Sequence, residues 1–151
     1  RECMYIEQKL GCMEGIMGVN FWYYCSTKQA VLEAGYKSLD ALAKVDGICT
    51  PFDICSAGSK VETNYPEIGP TTNHPYCPSL KEKIGDESKV EDGVNFIPEI
   101  VINALTLEDA KKSLIEGINA LNGVDGVIKV SAGNYGGNLG KYKLYLKEML
   151  E

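Results

Sequence analysis

Glu99 and the glycine-rich stretch SAGNYGGNLGK, Ser131 to Lys141, hold the residue types in this chain that could do chemistry. Glu99 opens the apolar run Ile100-Val101-Ile102, just after Ile97-Pro98. A carboxyl among so many apolar groups loses solvation. That raises its proton affinity toward the range useful for acid–base work. Strand alternation puts Glu99, Val101 and Asn103 on one face and Ile100 and Ile102 on the other, so a plain solvent-facing strand end is the alternative. The glycines invite a nucleotide reading, which fails. A P-loop needs Gly, four residues, then Gly-Lys-Ser/Thr, but Tyr135 and Tyr142 stand at the first and last of those positions. The dinucleotide pattern fails too, because Gly133 would need glycine at position 135 and Gly137 is followed two residues later by Leu139. Lys141 to Leu146 alternates like a strand, so no helix is expected there to receive a phosphate. What remains is a turn, or a loop whose Gly133, Gly136 and Gly137 let backbone approach a ligand, with Tyr135 flanking it.

Other reactive groups are sparse. His74 is the single histidine and sits beside Pro75, as surface loop residues do. The six cysteines, at positions 3, 12, 25, 49, 55 and 77, form no C-x-x-C pair and have no basic neighbour to activate a thiolate. They read as reduced thiols of a cytoplasmic protein rather than as disulfides or a zinc site. In GPTTNHPYCP, by contrast, Thr71, Thr72 and Asn73 offer hydrogen bonds from a proline-stiffened loop.

Elements must position these groups, and the chain shows a repeat. ALAKVDGI starts at Ala41 and ALNGVDGV at Ala120, an offset of 79 residues. A helix is expected before each copy. The first follows Ser26-Thr27-Lys28-Gln29, which fits a capping box; the second follows Thr106-Leu107-Glu108-Asp109. Val31, Ala34, Leu39 and Leu42 give the first an apolar face, and Leu107, Ala110, Leu114, Ile118 and Leu121 give the second. An apolar strand precedes each helix, Asn20 to Cys25 and Glu99 to Ala104. After each Val-Asp-Gly comes another strand and then Ser-Ala-Gly, at Ser56-Ala57-Gly58 and Ser131-Ala132-Gly133. The expected fold is α+β: an internally duplicated βαβ–βαβ sandwich in which an antiparallel sheet carries two helices on one face. The 151 residues form a single domain, with repeat halves at about 15–61 and 96–147 and a loop excursion at about 62–95. The charged part of that excursion, Lys81 to Gly93, reads as solvated. The offset of 79 places Asn20 and Glu99 at equivalent strand starts, near one another and near both Ser-Ala-Gly turns.

Charge and hydropathy exclude some roles. Fifteen Lys and Arg against 21 Asp and Glu give a formal net charge of −6. That is no basic face for nucleic acid. No apolar run approaches the roughly 20 residues of a membrane span.

With these segments in view, PEIVINAL (Pro98 to Leu105) and VIKVSAGNYGGNLGKYKLYL (Val127 to Leu146) resemble the C-terminal part of formylmethanofuran:tetrahydromethanopterin formyltransferase. GVNF, SAGSKV and TTNHPYCPSL fall in matching order. The resemblance implies a proximal lobe of ferredoxin-like type. It implies transfer of a formyl group from formylmethanofuran to N5 of tetrahydromethanopterin, in methanogenesis and related one-carbon metabolism. No bound prosthetic group or metal is implied, and the two coenzymes act as co-substrates. A cytoplasmic homo-oligomer, typically a tetramer, is implied as well. The family's catalytic glutamate falls on Glu99. Substrate-binding groups are expected from Asn20, Ser56, Gly58, Ser59, Thr72, Asn73, Ser131, Gly133, Asn134, Tyr135, Gly136 and Gly137.

The chain departs from the family pattern in three ways. It is about half the family's length and opens on Arg1-Glu2-Cys3. It is therefore expected to be a fragment, or a subunit whose N-terminal lobe is a separate chain. Val19 stands where the family tends to have a second glycine, and Asp53-Ile54-Cys55 is a shortened approach to Ser56. A binding or assembly subunit derived from the same lobe, without catalysis, is the alternative.

Overall fold

Phe21, Tyr23 and Cys25 alternate along one strand with Trp22 and Tyr24, and all five side chains are buried. A strand buried on both faces must be covered from both sides, and the rest of the fold does this. The computed structural model describes residues 5–57, 73–133 and 140–150. In chain order the elements are β1 (Ile16–Cys25), α1 (Lys28–Leu42), β2 (Ile48–Cys49), β3 (Cys55–Ser56), α2 (Lys81–Ile84), β4 (Pro98–Ala104), α3 (Leu107–Asn119), β5 (Val127–Ser131) and α4 (Leu146–Leu150). Short 3₁₀ turns, His74–Tyr76, Pro78–Leu80 and Gly85–Glu87, flank α2.

The sheet runs β2-β4-β1-β5, and each neighbouring pair is antiparallel. β3 pairs with β4 near its start, at Pro98 and Glu99, whereas β2 pairs near its end, at Asn103 and Ala104. The expected strand after Ile48 is thus two short pieces. Pro51 lies between them and has no N–H for the ladder. β1 and β4 pair through Val19↔Ile102, Asn20↔Val101, Phe21↔Ile100 and Trp22↔Glu99. Earlier in β1 the register shifts, so that Met17 and Gly18 together face Asn103. Gly18 takes φ +71° at this bulge, and its N–H donates to Asn103 Oδ1 at 3.0 Å.

Both long helices lie on the Phe21 face. Ala30, Ala34 and Leu42 of α1 and Leu114 and Ile118 of α3 form one core with Phe21, Tyr23, Cys25, Ile100 and Ile102. Small residues bring the helices together: buried Ser38 Oγ donates to Gly117 O at 2.8 Å. The caps differ in detail. Thr106 and Asp109 make the full reciprocal box, but α1 is capped one residue later than expected, by Thr27, whose side chain accepts from Ala30 N at 3.1 Å. Ser26 Oγ instead donates to Gly126 O at 3.3 Å.

One expectation is corrected and one is extended. Lys141 to Leu146 is not a strand; among its described neighbours α4 begins at Leu146, and Leu144, Leu146 and Met149 pack on the helix-side core. Side-chain alternation alone does not supply a pairing partner, and both edges of β1 are already taken by β4 and β5. Nor is the charged excursion merely solvated. Val90, Val94 and Ile97 are buried with Trp22, Tyr24 and Ala57 on the face opposite the helices, with Tyr76 against them. Its charges point outward, as in the 2.7 Å Lys81–Asp92 pair, while its valines cover aromatic surface that would otherwise face water.

Ser38→Ala should lower the unfolding free energy by about 1 kcal/mol, because Gly117 O loses a buried donor. Ser38→Leu should cost at least about 1–3 kcal/mol through overpacking. Urea unfolding of the three proteins measures both.

Candidate functional site

One cross-strand row organises the face opposite the helices. Trp22 pairs with Glu99 on one side and with Ser131 on the other, and Glu99 pairs in turn with Cys55. Directly paired residues share a sheet face. Cys55, Glu99, Trp22 and Ser131 therefore lie in line across β3, β4, β1 and β5. Glu99 is half-buried, whereas Trp22 is 3% exposed. The Trp22 indole N–H donates to Glu99 Oε1 at 3.2 Å. Behind the indole, Tyr76 meets it edge-on with ring centroids 5.3 Å apart, and Lys89 lies 5.7 Å above the Tyr76 ring.

Asn20 sits two residues earlier on the same face of β1. It pairs with Val101, which makes Glu99 its diagonal neighbour across the Phe21–Ile100 pair, near it as the repeat offset suggested. The Asn20 amide binds backbone. Its Oδ1 accepts from Gly133 N at 2.9 Å, and its Nδ2 lies 3.4 Å from both Gly133 O and Gly18 O. The first two bonds reproduce a ladder step just past Ser131, where β5 ends. Gly133 also lies against Trp22: a Cβ there would stand 2.7 Å from Cζ2 of the indole.

The other expected residues divide. Ser131 joins the row and forms a hydroxyl hydrogen bond with Tyr24, whose phenol is nonetheless pushed up to about 12, chiefly by burial and then by Tyr76. Asn73 closes the far side, donating from Nδ2 to Ala57 O at 2.9 Å. Ser56 is exposed and pairs with Pro98, so alternation sets it on the face away from Glu99. Gly58, Ser59, Thr72, Asn134, Tyr135, Gly136 and Gly137 lie outside the described residues. Trp22, Cys55 and Tyr76 were not expected in the site. For Trp22 a signal existed, since it is the sole tryptophan and falls two residues after Asn20.

Burial pushes the Cys55 thiol up, with Glu99 and then Asp53 adding to the effect. Less thiolate is then present at a given pH, and the thiolate is the nucleophile. The arrangement offers a half-buried carboxyl that accepts from the Trp22 indole N–H, and the indole in turn lies against Gly133 at the end of β5. It can accept and return a proton; it has no activated thiolate. Among the described residues, no cluster of three or more His, Cys, Asp or Glu is placed to hold a metal.

Cys55 should alkylate more slowly at pH 8 than exposed Cys12, and Glu99→Gln should speed it by removing the neighbouring negative charge. Mass-spectrometric mapping of the labelled cysteines reads both rates. Asn20→Ala should hasten amide exchange at Gly133 roughly five- to tenfold, the worth of one hydrogen bond.

Comparison with known proteins gives the family of the chain. The family model described as FTR, proximal lobe, matches residues 3–149. A formylmethanofuran–tetrahydromethanopterin formyltransferase-like protein of Methanothermobacter thermautotrophicus is 58% identical over 96% of this chain and 49% of its own length. The formylmethanofuran–tetrahydromethanopterin formyltransferase of Methanocaldococcus jannaschii is 41% identical over 96% of this chain and 50% of its own. Among solved structures, the Methanosarcina barkeri formyltransferase superposes with a TM-score of 0.79 at 41% identity, covering 89% of this chain and 46% of that one. The formyltransferase/hydrolase complex of Methylorubrum extorquens, solved with methylofuran, gives 0.77 at 31% identity over 89% of this chain and 45% of that one. The chain spans about half the length of the curated relatives it matches. It belongs to the FTR proximal-lobe family.

Proposed function

We propose that this chain is the proximal lobe of a formyltransferase that moves a formyl group from formylmethanofuran to N5 of tetrahydromethanopterin, with Glu99 as its acid–base group. The observation that carries this is the Cys55–Glu99–Trp22–Ser131 row, in which the Glu99 carboxyl accepts from the Trp22 indole and Trp22 in turn adjoins the end of β5 and Gly133.

The chemistry needs such a group. N5 of the pterin attacks the formyl carbon, forming a C–N bond and a tetrahedral oxyanion. Its proton must leave, and the furan amine must gain one as its own C–N bond breaks. A carboxylate can take the first proton and return it to the departing amine, so no net proton is consumed. Backbone N–H donors of the glycine-rich stretch are proposed for the oxyanion, other than Gly133 N, which already donates to Asn20 Oδ1. Gly58, Ser59, Thr72, Asn73, Ser131, Gly133, Asn134, Tyr135, Gly136 and Gly137 are proposed to line the coenzyme cleft, and Ser56, on the opposite face, is left out of it. Asn20 acts there through Gly133. Water must be excluded, or the formyl group is lost to hydrolysis. The transfer uses no prosthetic group.

The duplicated, ferredoxin-like reading of the lobe belongs to the same proposal. Phe21 pairs with Ile100, its equivalent under the offset of 79, and Ser38 bonds to its equivalent Gly117. Gly47 and Gly126, also equivalent, take φ +76° and +84° in the two Val-Asp-Gly turns. A local two-fold axis through the Phe21–Ile100 pair relates Asn20 to Glu99. A partner N-terminal lobe, homo-oligomeric assembly and a cytoplasmic setting complete the proposal.

The test is formyl transfer by this chain alone and mixed with an N-terminal lobe, with both coenzymes supplied. Activity in either sample supports the proposal, and absence of transfer in both overturns it. Glu99→Gln should lower the rate roughly 10²- to 10⁴-fold.

A further inference from the structure

We infer that Trp22 is a positioning residue for the Glu99 carboxyl, and that the backbone of Gly133, anchored by Asn20, holds the indole in place. Its catalytic consequence rests on the formyl-transfer proposal above; the positioning itself does not.

Three observations converge. The indole N–H is a lone donor, and it points at Glu99 Oε1 from 3.2 Å. An N–H bond to a carboxylate is charge-assisted and directional, so it selects one orientation of a side chain with three rotatable bonds. The indole has no room to turn. Tyr76 meets it edge-on, and Ala57, Val90, Val94 and Ile97 pack with it in one buried cluster. On its remaining side lies Gly133, where an added Cβ would fall 2.7 Å from Cζ2, 3.1 Å from Cε2 and 3.2 Å from Nε1. Those atoms belong to a rigid ring, not to the end of a flexible chain, so any larger residue at 133 must displace the ring. Gly133 is itself fixed by the two Asn20 amide bonds. The order of support is Asn20, Gly133, Trp22, Glu99. The carboxyl is thereby referenced to the start of the glycine-rich segment.

The chain contains one tryptophan, so its indole N–H gives a single cross-peak in a proton–nitrogen correlation spectrum. With the intact chain, Glu99→Ala should move that cross-peak upfield and speed its exchange with solvent about tenfold or more, the worth of a hydrogen bond to a charged group. Glu99→Gln, a neutral acceptor, should give an intermediate shift. Gly133→Ala should displace the cross-peak although Glu99 is intact. An indole cross-peak unchanged in both Glu99→Ala and Gly133→Ala would overturn the inference. In the transfer assay, Gly133→Ala and Trp22→Phe should each lower kcat about tenfold with KM little changed, as expected when an acid–base group is misoriented but coenzymes still bind. Absence of transfer in the unaltered protein would sink the functional proposal, while the spectra would still decide the positioning. Should Trp22→Phe fail to fold, the two Glu99 variants and Gly133→Ala carry the test.

Discussion

Everything in this lobe depends on the pairing of β1 with β4 about Phe21 and Ile100. That one register decides which residues face the helices and which face the site. Phe21, Tyr23 and Cys25 turn to the helix layer, and Asn20, Trp22 and Tyr24 turn away. A slip of one residue would reverse all six, burying Asn20 under helices and exposing Phe21. The hydrophobic core therefore does more than hold the sheet together. It makes a misregistered site energetically unreachable, because the large aromatic side chains that fill the helix side cannot be exchanged for polar ones without opening the core.

Both sheet faces must be closed, and the two closures differ in kind. Regular helices with small residues at their crossing close the first. The second is closed by the irregular segment that carries Tyr76, Val90, Val94 and Ile97, tied to the rim of β1 through Cys25 and Phe96, where Cys25 N donates to Phe96 O at 2.8 Å. Glu99 lies half-buried on this face rather than under a helix, so its carboxyl is partly desolvated and still reachable.

The parts legible from residue pattern were those built on periodicity. Leu107 to Leu121 has a strong helical stripe and a Thr106–Asp109 cap, and it folds as read. The apolar run that Glu99 precedes does form a strand, β4, with Glu99 near its start. Direct pairing partners were not legible, because they depend on register between strands far apart in sequence: the offset of 79 brings Asn20 and Glu99 near one another, but only the register makes Trp22 the partner of Glu99. The short β2 and β3 could not be separated without knowing which N–H groups find partners. Lys141 to Leu146 alternates in type, but alternation alone makes no strand where the segment pairs with no other.

The bulge at Met17 and Gly18 has a consequence for how the lobe tolerates change. Because two residues there face one, the side-chain alternation before Gly18 is out of phase with that from Val19 onward. The segment leading into the sheet is thereby insulated from the segment that bears Asn20 and Trp22. Insertions or losses ahead of the bulge can be absorbed at a glycine already in a left-handed turn. Whatever is joined to the front of the lobe can vary in length and angle, and the row that presents Glu99 keeps its facing.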